Sequence, residues 1–416
     1  MADWTDLIGD FMALTEGGLS PEIFKKWSAV GLIAGAMQRR VWAKTGPRNT
    51  YANLYTLLVG HPGVGKFVIE EVRRLWTETK EPGTGLGIFK VAPDSMSKAS
   101  LMDTLARSKD IVVPPIGLPL TTHSLLISAE EFSVLMPAYD LEYIGVLNSI
   151  YNNKPLHEES RRTGTVKELK LENPQLNIFA GVQPGWLGSV FPEEAWSTGL
   201  ASRLIMIYSD ESKLTDIFED QLDTDRLRSE IMSKLYHISQ LFGQMKWEPE
   251  AANLIRDWHM AGGPPVPGHS KLVHYLRRRT LHVVKLAMIS AIAASGQLII
   301  RTSDSRRALA WLLEAERYMP EIFRAMTGKN DAQVLEELQL YMLGIYARNS
   351  DEARRKGKAE VEAIHESSLY AFLEHHVIVE KIEGLILQAE KSNRIVRIGG
   401  TNTFKPRPMA GPKGVE

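Results

Sequence analysis

The residues Gly60-His61-Pro62-Gly63-Val64-Gly65-Lys66-Phe67 follow an apolar run, Leu54 to Val59, and precede a stretch with helical spacing. Strand, glycine-rich loop, then helix is the sequence form of a Walker A phosphate cradle. Gly60, Gly63 and Gly65 permit the bends that turn successive N–H groups toward an anion. Lys66 adds positive charge where the β- and γ-phosphates of ATP would lie. One position departs from the pattern: Phe67 stands where Ser or Thr would offer Mg²⁺ an oxygen. Phe67 puts hydrolysis, though not nucleotide binding, in question.

Four further places could serve the same chemistry. The apolar run Leu125 to Ala129 ends in Glu130-Glu131, which puts two carboxylates at a strand end. Taken alone, such a pair is a solvated terminus. Downstream of a phosphate cradle, Glu130 reads as the Mg²⁺ ligand and Glu131 as the base that orients water, because successive strand side chains diverge. Gln183, before Pro184, ends another apolar run and is either a γ-phosphate or water contact or a polar turn residue. Arg203, just before Leu204 to Tyr208, is either an arginine finger for a neighbouring subunit's phosphate or a surface arginine. Arg277-Arg278-Arg279 offers a second phosphate sensor, with at most one or two of the three able to face it.

Such groups need a sheet to hold them. Runs at Leu54–Val59, Ile88–Ala92, His123–Ala129, Asn177–Val182 and Leu204–Tyr208 alternate with helical patterns at Val68–Thr79 and Ser97–Arg107. This predicts a largely parallel sheet covered on both faces, with ligands at the carboxyl ends of its strands. Before it, Ser20-Pro21 reads as the cap of an amphipathic helix that ends in Arg39-Arg40. The expected organisation is a helical segment over 1–50, an α/β ATPase core over 51–220, and a helical lid over 221–328 that includes a helix from Tyr275 to Ala294. A small domain over 331–416 follows a hinge at Thr327 to Asn330. That last domain reads helix, helix, hairpin, with Glu366-Ser367-Ser368 opening a helix to His375 and Gly399-Gly400 at the hairpin turn, which is a winged-helix pattern.

At 416 residues and a formal net charge of -1, with no cysteine, the chain excludes disulfide frameworks, thiolate nucleophiles and a uniformly basic nucleic-acid coat. No run is long and apolar enough for a membrane span, and Met1-Ala2-Asp3-Trp4 does not begin a signal peptide, so the expectation is a cytoplasmic protein. Basic residues cluster twice. Lys154, Arg161, Arg162 and Lys167 flank Gly164 in a hairpin-like insertion, either a DNA-tracking loop or a solvated surface hairpin. Arg394 and Arg397 lie in the basic stretch from Lys391 onward.

Together, Ser20-Pro21, Leu54 to Lys66, Ile127 to Phe132, Ala180 to Leu187 and Gly199 to Tyr208 resemble the P-loop ATPases (AAA+-like, ASCE) of phages, prophages and mobile elements, related to primase-helicases. The resemblance covers roughly Ser20 to Ala315. It implies a P-loop NTPase three-layer sandwich with a helical lid and a C-terminal winged helix. It further implies Lys66 on phosphate, Glu130 and Glu131 as Walker B acids, Gln183 as sensor, Arg203 as finger, and ATP with Mg²⁺ as cofactors. The basic insertion around Gly164 sits where related helicases carry a DNA-contacting hairpin. The activity so implied is that of a DNA-stimulated, helicase-like motor forming a hexameric ring in a bacterial host, with a replication or recombination protein as partner. A nucleotide-gated DNA-binding adaptor, such as a helicase loader that has lost turnover, is the alternative.

Overall fold

The computed structural model describes residues 4–114, 117–135, 140–160, 168–191, 196, 199–212, 224–326, 331–358, 363–374, 379–399 and 401–407. The chain divides into two compact units, Met1–Met326 and Thr327–Glu416.

The first unit is built on strand β3 (Tyr55–Val59), all five residues of which are buried. A strand covered on both faces needs such an unbroken apolar run. The elements before it are α1 (Leu7–Leu14), α2 (Glu22–Met37), β1 (Val41–Thr45) and β2 (Arg48–Tyr51). After it come α3 (Val68–Glu78), α4 (Lys98–Arg107), β4 (Lys109–Val112), β5 (Leu120–Ala129), α5 (Phe132–Leu135), α6 (Leu141–Tyr151), β6 (Leu156–Ser160), β7 (Glu168–Glu172), β8 (Pro174–Val182), α7 (Pro184–Val190) and β9 (Leu204–Tyr208).

The central sheet has the order β4-β5-β8-β3-β9, with β5, β8, β3 and β9 parallel and β4 antiparallel at the edge. Val59 pairs with Val182 and with Tyr208, and Ala129 with Ala180, so the carboxyl ends of four strands stand together. Helix α3 turns Val68, Ile69, Val72, Leu75 and Trp76 onto the sheet and leaves Glu70 and Glu71 in its first turn. That apolar stripe at helical spacing stabilises the layer by about 1.5–3 kcal/mol for each large aliphatic side chain buried. Ser97 caps α4 by accepting a hydrogen bond from the N–H of Ser100 at 3.2 Å.

The rest of the unit is α8 (Thr224–Gln240), β10 (Gly243–Trp247), α9 (Pro249–Met260), α10 (Val273–Leu276), α11 (Arg279–Ser295), β11 (Ile299–Ile300) and α12 (Thr302–Met326). A second sheet, β11-β10-β1-β2, joins the segment before β3 to the segment after β9. The N-terminal helices and the helices over 224–326 thus share one core with the central sheet. Two local expectations change. The run Ile88–Ala92 makes one parallel bridge, Val91 to Leu126, rather than a strand, and the helix expected over Tyr275–Ala294 is broken at Arg277-Arg278.

In the second unit, α13 (Asp331–Arg355), β12 (Ile364–His365), α14 (Glu366–Leu373), α15 (Val379–Lys391), β13 (Ile395–Arg397) and β14 (Thr403–Pro406) enclose a small core of their own. Its antiparallel sheet has the order β12-β14-β13. The expected hinge, Thr327 to Asn330, and His375 lie outside the described residues. No helix among the described residues is long and apolar enough to cross a membrane.

Candidate functional site

Strand β3 delivers Gly60 to the carboxyl edge of the sheet, where its N–H donates to the Val182 carbonyl at 3.2 Å. The chain then turns through His61 and Pro62, which are exposed, to Val64, which is buried. Gly63 and Gly65 take φ of 85° and 75°, in the left-handed region. At Gly65 space adds to conformation, because a Cβ would stand 2.7 Å from the Leu19 carbonyl oxygen. Among the described residues the N–H groups of Gly63, Gly65 and Lys66 donate to no backbone carbonyl. Three such donors on one loop beside a lysine are groups that can hold an anion.

Lys66 Nζ lies 3.2 Å from Glu131 Oε1 and 3.3 Å from the Gly60 carbonyl. Gln183 Nε2 donates to the same Glu131 oxygen at 3.3 Å. Three adjacent parallel strands therefore bring Lys66, Glu131 and Gln183 to one point. The second oxygen of Glu131, Oε2, is buried without a hydrogen-bond partner among the described residues. Glu130, which is exposed, and Glu131 follow the last residue of β5, Ala129, and both line a cleft with Ile69, Glu70, Arg73 and Asp94.

Phe67 is 46% exposed, and its ring lies over Gly18, whose added Cβ would meet it at 3.2 Å. Its ring thus packs on the α1–α2 connection and leaves the metal without a hydroxyl at that position. No group of three or more His, Cys, Asp or Glu among the described residues is placed to hold a metal. The donor set still fits Mg²⁺ carried with a nucleotide, because Mg²⁺ takes one or two carboxylates plus phosphate oxygens, and exposed Glu130 is at hand.

Two contacts were not read from the sequence. The Ser20 hydroxyl, expected to cap α2, donates instead to the Gly65 carbonyl, and Pro21 occupies the cap position. Gly181 admits the end of β5: a Cβ there would stand 2.3 Å from the Glu130 carbonyl oxygen and 3.2 Å from Lys66 Cδ. Its place two residues before Gln183 was the available signal.

Other expected site residues lie elsewhere. Arg203 precedes β9, whose first residue, Leu204, pairs with Tyr55 at the opposite, amino edge of the sheet. It is 7% exposed and donates to the Gly199 carbonyl at 2.5 Å and to Asn152 Oδ1 at 3.3 Å. A finger must protrude, and this guanidinium is enclosed. Arg278 donates to Ser202 Oγ at 3.0 Å near the same edge, and Arg279 is buried against Glu316 at 2.6 Å, so neither senses phosphate at the loop. Lys154 is exposed at the start of the β6–β7 hairpin, whereas Arg161, Arg162 and Lys167 lie outside the described residues. Arg397 faces Glu390 at 3.1 Å and Glu366 at 3.5 Å, and Arg394 donates to Gln339 Oε1 at 3.0 Å. The charge of Arg397 is thereby compensated inside its own unit. The chain matches no protein-family model and no curated protein sequence.

Proposed function

We propose that the chain is a P-loop ATPase of the AAA+-like, ASCE type that works on DNA, acting in the bacterial cytoplasm as part of mobile-element replication or recombination. The observation that carries this reading is the convergence of Lys66 and Gln183 on Glu131 beside a loop with free N–H groups. The additional strand of that class is β8, which stands between the loop strand β3 and the acid strand β5 and supplies Gln183.

Each residue has a defined task. The loop N–H groups and Lys66 bind the triphosphate, and Mg·ATP when bound supplies the phosphoanhydride and the divalent charge. In the free protein Lys66 is engaged by Glu131. Phosphate competes for the ammonium and releases Glu131 to accept a proton from water, while Gln183 keeps the carboxylate aimed. Glu130 supplies the protein's oxygen for Mg²⁺. Assembly into a ring belongs to this reading, but Arg203 as placed serves no neighbouring subunit.

The second unit is proposed as a winged-helix-like module. Its helix α15, VEKIEGLILQAEK, carries three glutamates against two lysines, with Leu387 50% exposed. Such a helix suits a protein partner better than a phosphate backbone. Phe67 favours a second reading, a nucleotide-gated adaptor that binds ATP without turnover.

The deciding experiment measures ATP binding and steady-state hydrolysis, with and without single- and double-stranded DNA, in wild type and Lys66→Ala. DNA-stimulated hydrolysis lost in the variant supports the motor. Binding without turnover leaves the adaptor, and no ATP binding at millimolar concentration ends both readings.

A further inference from the structure

At the amino edge of the central sheet lies an open groove of about 980 Å³ lined by Arg39, Lys44, Arg48, Lys154, Arg278 and Lys285. Among the described residues that line it there is no Asp or Glu. Its cations are set against dipoles and a ring instead. Arg39, 4% exposed, donates to the carbonyls of Asn153, Pro174 and Lys154 at 2.7, 2.8 and 3.0 Å. Lys285, 2% exposed, donates to the Asn53 carbonyl at 2.7 Å and stands 3.9 Å from the centre of the Tyr151 ring. Arg203 lies against the same ring at 5.7 Å and Arg278 at 6.0 Å.

Cations withdrawn from water without counter-charge are costly to hold. Burial, and then the mutual field of Arg278 and Arg203, hold Lys285 well below the ordinary ammonium range, and burial and Arg278 bring Arg203 down to about 10. An anion in the groove relieves that repulsion. The outer cations are exposed, Lys44 and Arg48 on the β1–β2 hairpin and Lys154 just before β6, and half-buried Tyr51 lines the groove with Arg39, whose guanidinium is 4.9 Å from its ring. Cations from two separate segments beside an aromatic side chain suit a repeating phosphate chain better than one compact anion.

We infer that this groove binds the phosphate backbone of a nucleic-acid strand at the sheet edge opposite the nucleotide loop. The choice of nucleic acid rests on the DNA-handling reading above, while the preference for an anion does not.

The test is fluorescence anisotropy of a labelled single-stranded 20-mer against wild type, Lys154→Ala, and the triple variant Lys44→Glu, Arg48→Glu, Lys154→Glu, over a series of salt concentrations. All three positions are exposed, and the thermal denaturation midpoint measured in parallel reports that the fold is intact. The triple variant is expected to bind at least tenfold more weakly, with the slope of log affinity against log salt reduced by about 2, at roughly 0.7 per phosphate contact. Lys80→Glu with Lys109→Glu, two exposed cations elsewhere, is expected to bind the 20-mer as wild type does. Unchanged affinity and slope in the triple variant would overturn the inference, as would displacement of the 20-mer by tripolyphosphate at equal phosphate concentration, which would make the groove a small-polyphosphate site. A wild type that binds the strand through these residues but binds no ATP would support the groove and remove the ATPase reading.

Discussion

Replacing Glu131 with Gln is expected to tighten ATP binding while abolishing turnover, and the two effects have separate origins. The Lys66–Glu131 contact is 3.2 Å long, with the side chains 10% and 32% exposed. At an effective dielectric constant of about 20, the Coulomb attraction at that distance is on the order of 5 kcal/mol. Desolvation and the screening reaching a carboxylate that is one-third exposed reduce the net value to about 1 kcal/mol. Nucleotide must break this pair to engage Lys66. Glu131→Gln removes the competing charge, keeps the shape, and returns about 1 kcal/mol to binding, or about a fivefold lower Kd. Hydrolysis falls because an amide accepts no proton from water. Titration with a fluorescent ATP analogue, beside a steady-state phosphate-release assay, reads both effects. A Kd unchanged or raised in the variant would refute the view that Glu131 holds Lys66 in reserve. Gln183→Ala serves as the comparison, leaving the ion pair intact and expected to keep Kd within about twofold, since its hydrogen bond to Glu131 is made with and without nucleotide and its loss cancels in binding.

Two further outcomes follow from the same structure. Phe67→Ser supplies the missing hydroxyl at a half-exposed position, so Mg²⁺-dependent turnover is expected to rise with little loss of thermal stability, and a Tm drop with no gain in turnover would count against the site as drawn. Burial keeps His282 neutral, bringing it down from 6.5 to about 3, while its Nε2 faces the Ser202 carbonyl at 3.2 Å. The unfolded chain takes up this proton below pH 6.5 and the folded chain does not, so stability falls as pH drops from about 6.5 toward 3. The loss at pH 5 is about 2 kcal/mol. Denaturant midpoints measured at pH 7 and 5 for wild type and His282→Asn should show a smaller difference in the variant.

The four parallel strands of the central sheet were legible because their apolar runs are buried on both faces, and β9 at Leu204–Tyr208 matches its expected bounds, whereas the exposed, charged edge strand β4 was not. The loop was legible because glycine at φ of 85° and 75° and a lysine leave few other uses for that spacing. The second sheet was not, because β1 and β10 pair across some two hundred residues, Val41 with Gly243, and neither strand carries an unbroken apolar run. Arg39 read as the charged end of a helix, yet it is buried under three carbonyls that come from residues 153, 154 and 174. The basic groove shares this origin. Its cations come from separate parts of the chain, and only the fold shows that, among the described residues lining it, no carboxylate accompanies them.

Helix α2 joins the two candidate sites physically. Its sixteen residues span about 24 Å at 1.5 Å each. Just before it, Ser20 bonds the loop at Gly65, and just after it, Arg39 lines the groove. Between these ends the helix lies tightly on the core. A Cβ at Gly31 would stand 2.7 Å from the Phe179 ring and one at Gly35 2.5 Å from the Trp76 indole, whose N–H donates to the Leu32 carbonyl at 3.0 Å. A rod held this closely cannot move at one end without moving at the other, so α2 is expected to carry any coupling between strand binding and turnover. Position between two sites is not itself evidence of coupling, and Gly35→Ala supplies the test. The added methyl meets a fixed indole, costs about 1–3 kcal/mol of stability, and pushes α2 from α3 at a position that itself contacts neither Lys66 nor Glu131 and does not line the groove. DNA stimulation is expected to fall while basal turnover persists, both measured below the variant's Tm. Stimulation equal to wild type would reduce α2 to scaffold and leave the loop and groove independent.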